Sequence, residues 1–120
     1  MKKSNKSILL IISLLLFIVS CERTNSKTSN LNITLQNTDE YHLNLGYFGD
    51  EEGCSIIEDA KHAKSSKILG NPWEARIYEY IPDSSYIGND KVVIRTEKGS
   101  DGASPNDEIE IININFNITK

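Results

Sequence analysis

The last stretch of the chain, EIEIININFNIT, alternates apolar and polar residues from Glu108 to Thr119. Successive side chains of an extended strand point to opposite faces, so this period of two predicts a long β-strand with one face in a core. The phase changes once, because Ile109 and Ile111 have the opposite parity to the apolar residues from Ile112 onward. A one-residue phase change of this kind predicts a β-bulge near Ile111 and Ile112.

Residues 31–35 and 41–47 have the same period, and residues 75–82 are rich in β-branched and aromatic residues typical of strands. Residues typical of turns separate these stretches. Residues 54–69 are ambiguous: a strand is expected near Cys54 to Glu58, and the rest suits either a short helix or an edge strand with turns. No long stretch has the period of a helix, so the pattern predicts an all-β fold, an antiparallel β-sandwich. About seven strands within residues 31–120 is typical of an immunoglobulin-like (Ig-like) domain. The predicted strands cover residues 31–35, 41–47, 54–58, 75–82, 91–97 and 108–119.

The predicted core lies between the two sheets and is formed mainly by the last two strands. We expect Val92, Ile94, Ile114 and Phe116 to be buried there, with Tyr80 and Tyr86 at the edge of the core. His42 alternates with inward-facing neighbours, so it is expected on the outside. Cys54 is most simply a small apolar residue of the core.

The first twenty residues have the pattern of a cleaved export signal. Three lysines within the first six residues precede an apolar stretch from Ile8 to Val19. That stretch is far shorter than the about 20 residues that a membrane-spanning helix needs. A basic start followed by a short apolar stretch and a small residue is typical of a secretory signal peptide. We therefore expect residues 1–20 to be removed from the mature protein.

The four residues that end this segment, IVSC (Ile18 to Cys21), resemble the lipobox of bacterial lipoproteins. The resemblance implies that Cys21 is lipidated, becomes the first residue after cleavage and anchors the chain in the cell envelope, at the outer membrane. The alternative is an ordinary signal peptide cut near Ser20, which would leave Cys21 as a free thiol. The polar stretch ERTNSKTSN, residues 22–30, then predicts a flexible tether between the anchor and the domain.

The charge of the chain restricts its partners. The segment before Cys21 holds three of the 13 basic side chains and none of the 17 acidic ones, so the remainder carries ten basic and 17 acidic side chains and a formal charge of −7. An acidic chain without a basic patch argues against a nucleic acid as partner. It also argues against electrostatic attraction to anionic lipid, so the contact with the membrane depends on the lipid at Cys21.

Two stretches are rich in acidic residues: GDEEG at residues 49–53 and EKGSDGASPND at residues 97–107. Strand directions alternate in the predicted sandwich, so the loops after the second and sixth strands lie at the same end. Hard cations bind clusters of carboxylate oxygens, which makes a weak Ca²⁺ site one interpretation. The other is a solvated acidic surface, since neither loop has a recognisable ligand spacing. The candidate ligands are Asp50, Glu51, Glu52, Asp101 and Asp107.

The sequence contains no G-x-S-x-G, H-E-x-x-H or C-x-x-C pattern and no glycine-rich phosphate loop. His42 and His62 have no spacing that would link them in a metal or catalytic site. We therefore predict that the protein is not an enzyme and has no cofactor other than a weakly bound Ca²⁺; a small envelope hydrolase is kept as the third alternative. Trp73 is of a type favoured in binding hot spots, but we expect it to cover the edge of the core.

The stretch YIPDSSYIGNDKVVIRTEKGSDG, residues 80–102, resembles the signature of bacterial Ig-like and cadherin-like domains. Its parts are Tyr-x-Pro, an aromatic residue followed by Gly and Asp at fixed spacing, an apolar strand and an Asp-Gly loop. Together with LGYFGDEEGCSI (residues 45–56) and GSDGASPND (residues 99–107), this stretch also looks similar to small lipoproteins of the Bacteroidota. The matching residues are Tyr80, Pro82, Tyr86, Gly88, Asp90, Val92, Ile94, Asp101 and Gly102.

The resemblance implies the fold, and fold alone does not give function. We predict a non-catalytic binding or structural module that uses loops or a sheet edge to contact a protein or glycan of the envelope or the extracellular space. A calcium-binding module is the alternative, although the regular Asp-x-Asp patterns of cadherin repeats are absent. The matching residues also have a structural interpretation. Gly88 permits a turn conformation, Asp90 can accept hydrogen bonds from loop amides, and Tyr86 can cover the edge of the core.

Overall fold

A computed structural model describes residues 24–120; the predicted signal peptide and Cys21 lie outside the described residues. The chain between these limits forms seven β-strands joined by turns and loops. No helix within the described residues is long and apolar enough to cross a membrane. The strands are β1 (Asn25–Gln36), β2 (Tyr41–Gly46), β3 (Gly53–Glu58), β4 (Ala63–Leu69), β5 (Arg76–Pro82), β6 (Gly88–Lys98) and β7 (Glu108–Thr119).

The strands form two sheets, which confirms the predicted Ig-like β-sandwich. One sheet has the order β1-β7-β6-β3 and the other β2-β5-β4. Strand β1 pairs with β7 in parallel, whereas the remaining pairs in the described part of the chain are antiparallel. The parallel pair follows from the connectivity, because each connection reverses the chain and an even number of reversals returns β7 to the direction of β1.

Strand β1 begins at Asn25 rather than at Leu31, so most of the stretch predicted as a flexible tether is a strand. Its first half pairs residue by residue with β7, and the backbone N–H of Asn25 donates to the carbonyl oxygen of Asp107 at 2.7 Å. The Ser29 hydroxyl donates to a carboxylate oxygen of Glu110 at 2.6 Å. The backbone ladder with β7 stabilises this segment, which lacks the apolar residues that reveal a half-buried strand in a sequence.

The β-bulge predicted near Ile111 and Ile112 is absent, since β7 pairs in unbroken register with β1 from Glu108 to Thr119 and with β6 from Glu108 to Ile118. The even-numbered residues of β7 face inward along its whole length. Where Ile112 gives way to Glu110, the inner face becomes polar, and Ile111 lies on the outer face instead. The phase change in the sequence therefore marks the point where the core ends, not a change in the backbone.

The ambiguous stretch contains an edge strand, β4, and the helical alternative is wrong. Ala63 and Ile68 pack against the core from this strand. On its outer side the Ser65 hydroxyl donates to Glu79 at 2.8 Å, and the Lys67 ammonium lies 3.6 Å from the same carboxylate. Pairing with the central strand β5 therefore determines its structure, and that pairing is not visible in the local sequence.

The core is the one predicted from the last two strands: Val92, Ile94, Ile114 and Phe116 are all buried. Tyr80, which was expected at the edge, is instead fully buried, with its ring stacked on that of Phe116 at 3.9 Å between centroids. A Tyr can lie this deep because its hydroxyl finds a buried partner, the carboxylate of Asp90 at 2.9 Å.

Candidate functional site at the loop end

Three loops lie at the end of the sandwich where β1 begins. They are residues 47–52, 70–75 and 99–107, and this end is called the loop end below. The first and third are the two acidic loops, so the prediction that they share an end is confirmed. The hydrogen bond between Asn25 and Asp107 shows that the chain also enters the domain here.

Glu52 joins the two acidic loops. Its carboxylate accepts from the backbone N–H of Gly49 at 2.8 Å and from that of Gly99 at 2.9 Å. These two hydrogen bonds, with a smaller contribution from the Lys98 ammonium, hold the pKa of Glu52 below its ordinary value. The Asn106 amide adds a second link by donating to the Glu51 carbonyl oxygen at 2.7 Å. The two loops therefore form one connected surface.

Asp101 organises its own loop. Its carboxylate accepts from the Ser104 hydroxyl at 2.7 Å and from the backbone N–H groups of Ser104 and Ala103 at 2.8 and 2.9 Å. These bonds lower the pKa of Asp101. An aspartate that accepts from nearby amides in this way stabilises a turn.

The loops converge, but their acidic side chains do not form a coordination shell. Within residues 24–120 no group of three or more His, Cys, Asp and Glu side chains is placed to hold a metal ion. Of the candidate ligands, Glu52 and Asp101 are bound to loop amides, and Asp50, Glu51 and Asp107 are exposed. The calcium site stays a prediction, and the solvated acidic surface agrees better with this geometry.

Trp73 lies on the surface of the loop end with 83% of its area exposed, so the expectation that it covers the edge of the core is wrong. The 70–75 loop is a tight turn: the backbone N–H of Glu74 donates to the Asn71 carbonyl oxygen at 3.0 Å, and the Arg76 guanidinium donates to the Gly70 carbonyl oxygen. Gly70 has φ of +111°, and a Cβ there would lie 2.7 Å from the Ala75 carbonyl oxygen. This compact turn holds its central residues, Trp73 among them, away from the sheets.

Tyr47, 70% exposed, lies in the neighbouring loop. Gly46 at the end of β2 pairs with Arg76 at the start of β5, so the 47–52 and 70–75 loops leave the three-stranded sheet side by side. Next to Tyr47, Phe48 packs against the core and carries the Lys98 ammonium 4.6 Å above its ring centroid. The loop end therefore presents two exposed aromatic side chains on anchored loops.

Within residues 24–120, cysteine and histidine side chains do not add a reactive group to the loop end. Cys54 is a free cysteine on β3, half-buried against the core, and burial raises the pKa of its thiol. As predicted, His42 is exposed on the outer side of the three-stranded sheet; its Nε2 lies 3.5 Å from a carboxylate oxygen of Glu79. His62 lies at the opposite end, where its ring stacks on that of Tyr86 at 3.7 Å.

The opposite end of the sandwich is held by Asp90. Its buried carboxylate accepts from the backbone N–H groups of Lys61 and His62, each at 2.9 Å, and from the Tyr80 hydroxyl. Burial alone would raise the pKa of Asp90, but these hydrogen bonds together outweigh burial and lower it. The prediction that Asp90 accepts hydrogen bonds from loop amides is therefore confirmed. The prediction that Gly88 adopts a conformation suited to glycine is confirmed as well, since its φ is +141°.

No family model matches the sequence, and no curated protein matches it. Two solved structures are similar. The cysteine protease inhibitor EhICP2 from Entamoeba histolytica is 10% identical, with 79% of this chain and 98% of the inhibitor covered at a TM-score of 0.45. Amebosin is 14% identical, with 78% of this chain and 96% of amebosin covered at a TM-score of 0.42. Both similarities are distant, so the sandwich described above rests on the strand order and register of this chain.

Proposed function

We propose that the chain is a lipid-anchored, non-catalytic binding module of the bacterial cell envelope, and that it binds a protein partner at the loop end. The observation that carries the proposal is the exposure of Trp73. A Trp side chain buries roughly 150–250 Å² of surface when it is covered, so its exposure to water forgoes a large favourable hydrophobic free energy. Trp and Tyr are the residue types most enriched in binding hot spots.

The exposed acidic side chains of the loop end favour a protein over a neutral glycan as the partner. The exposed carboxylates of Asp50, Glu51 and Asp107 lie in the loops of the same end. An apolar centre with a charged rim is the usual organisation of a protein interface. Complementary charge would speed encounter with a partner whose surface is basic and would exclude acidic ones.

The predicted anchor would hold this surface close to the membrane. Four residue steps separate Cys21 from Asn25, which limits the tether to about 13–14 Å even when it is fully extended. A lipid at Cys21 would therefore hold the loop end near the head groups and restrict the partner to proteins of the same envelope layer. Trp and Tyr also favour the membrane interface, so contact with lipid is the competing explanation. The acidic side chains of this end disfavour that explanation, because anionic head groups repel them.

Site-specific photo-crosslinking in the native cells tests the proposal. A crosslinking amino acid at position 73 should give a defined protein product, and Tyr47→Ala should weaken it. Position 87 is the matched control, because Ile87 is also exposed but lies in the loop at the opposite end of the domain. Equal products from both positions would refute binding at the loop end. If position 73 crosslinks only to lipid or to glycan, the ligand of the loop end is that molecule and not a protein.

A further inference from the structure

The four edge strands of the sandwich differ in how well they are protected against pairing with another strand. Strands β2, β3 and β4 have six, six and seven residues, and each has a register shift against its neighbour. Such irregularities, short length and lysines are the usual means of blocking an edge. Strand β1 has twelve residues in unbroken register with β7 and contains no Pro or Gly. Its single charged residue is Lys27.

A groove runs beside the same edge, between β1 and β2, where the two sheets are open. Its walls carry the apolar side chains of Leu31, Leu43, Leu45 and Ile112. Leu31 and Leu43 are only half-buried there. A strand added to β1 would extend the four-stranded sheet and would also cover this apolar margin.

The outer face of β1 carries an amide ladder that stops at the edge. The Asn113 side-chain NH₂ donates to the Asn30 Oδ1 at 3.1 Å, and the Asn115 NH₂ donates to the Asn32 Oδ1 at 3.2 Å. In both hydrogen bonds the acceptor is the side-chain amide oxygen of the β1 residue. Within the described residues the structure shows no acceptor for the NH₂ groups of Asn30 and Asn32, so they can donate to an acceptor beyond the edge, and each Oδ1 retains a second lone pair.

We propose that two copies of the chain associate through their β1 edges, antiparallel and centred on Leu31. A twofold axis normal to the sheet makes the pairing antiparallel, and residues directly opposite then share a face. In this register Leu31 faces Leu31 of the copy on the inner side, and Asn30 faces Asn32 of the copy on the outer side. The amide ladder continues across the seam, as stacked Asn ladders do.

The register is also compatible with the charge on the strand. Lys27 lies opposite Leu35 of the copy, so like charges do not meet, and it can keep its partner Glu110 at 3.7 Å. The loop ends lie on opposite sides of such a dimer and stay open. On a single membrane the strands would lie parallel to the bilayer so that both tethers reach it. The proposal is independent of the partner that binds Trp73.

Charge variants test the interface with the chain from Glu22 to Lys120, which contains all seven strands. We expect this chain to sediment as a dimer. Asn30→Lys with Asn32→Lys, and separately Asn30→Glu with Asn32→Glu, place two like-charged pairs across the seam and should raise the dimer Kd about tenfold or more. A 1:1 mixture of the two variants should restore the dimer. Failure of the mixture to do so, with both variants folded by circular dichroism, would overturn the proposal.

Disulfide formation tests the register, in a Cys54→Ser background. Cα atoms of directly opposed residues lie about 4.5–5.5 Å apart, within the range for a disulfide. Leu31→Cys should therefore crosslink readily on mild oxidation. Ile33→Cys is the control, because Ile33 faces Ser29 of the copy and not itself. A monomer at every concentration, or equal crosslinking of the two variants, would contradict the proposed interface.

Discussion

At the scale of residues, one buried side chain, that of Asp90, stabilises contacts between several elements that the alternation of apolar and polar residues does not reveal. Its carboxylate connects the loop before β4 to β5 and β6, through amides of Lys61 and His62 and the hydroxyl of Tyr80. Trp73 is the opposite case, since a tight turn holds it away from the core. The stretch GNPW at residues 70–73 is typical of a turn, but such residues do not indicate the direction in which a turn projects its side chains.

The loss of the Asp90 charge should destabilise the fold in a pH-dependent way. We expect Asp90→Asn to lower the free energy of unfolding at pH 7 by about 1–3 kcal/mol, because an amide cannot accept from all these donors. The pKa is lowered in the folded state, so the stabilisation is present above the ordinary pKa and is lost as pH falls through the folded-state value, below about pH 4. Urea unfolding at pH 7 and pH 3 measures both effects.

Asp50→Asn, at an exposed loop position, is the matched control and should change stability little. If Asp90→Asn and the wild type lost the same free energy of unfolding between pH 7 and pH 3, the Asp90 carboxylate would not be the acid-sensitive group.

At the scale of elements, alternation predicted the strands wherever one face is apolar. Alternation was sufficient for β2, for β1 from Leu31 onward and for β7 from Ile112 onward. Alternation failed for residues 25–30, whose pairing with β7 involves only backbone and polar side chains. It also predicted a β-bulge at the point where the inner face of β7 becomes polar, and that bulge is absent. Strand directions alone predicted that the two acidic loops lie at the same end. The hydrogen bonds of Glu52 to Gly49 and Gly99 depend on contacts between loops, which no local sequence pattern reveals.

The phase of β7 can be measured directly. Phe116→Ala should cost about 3–5 kcal/mol of unfolding free energy, because it removes a buried ring that stacks on Tyr80. Asn117→Ala, at the next position on the exposed face, should be close to neutral. Urea denaturation with an unchanged m-value provides the comparison, and similar costs at both positions would mean that β7 is wrongly phased.

At the scale of the whole molecule, the anchor, the entry of the chain and the exposed aromatic residues would meet at one end of the sandwich. The acidic loops lie there as well, joined by Glu52 and Asn106. This arrangement gives three interpretations of the same surface, namely an anchored protein-binding end, a calcium site and a lipid-contacting end. Each makes a distinct prediction for the intact chain.

Lipidation is expected at Cys21. Cys21→Ala should leave the precursor uncut and abolish incorporation of a labelled fatty acid, because the resemblance to a lipobox makes this thiol the acceptor. Cys54→Ala should keep full labelling, since Cys54 is half-buried in the domain. Unchanged labelling of Cys21→Ala would remove the anchor from the proposed function.

Calcium should leave the domain unchanged. We expect no shift in melting temperature at millimolar Ca²⁺, because two of the five candidate ligands are already bound to loop amides. A stabilisation that disappears when Asp50, Asp101 and Asp107 are changed to Asn would establish the site instead. An equal stabilisation in wild type and triple variant would place the ion elsewhere.

The most direct test of the central claim is the affinity of the partner captured by crosslinking for two alanine variants of the domain. Trp73→Ala should weaken binding by about 2 kcal/mol or more, roughly 30-fold in Kd, as expected for a hot-spot Trp. Ile87→Ala, at the opposite end, should bind like the wild type. Unchanged affinity of Trp73→Ala, or an equal loss in both variants, would contradict the assignment of the loop end as the binding surface.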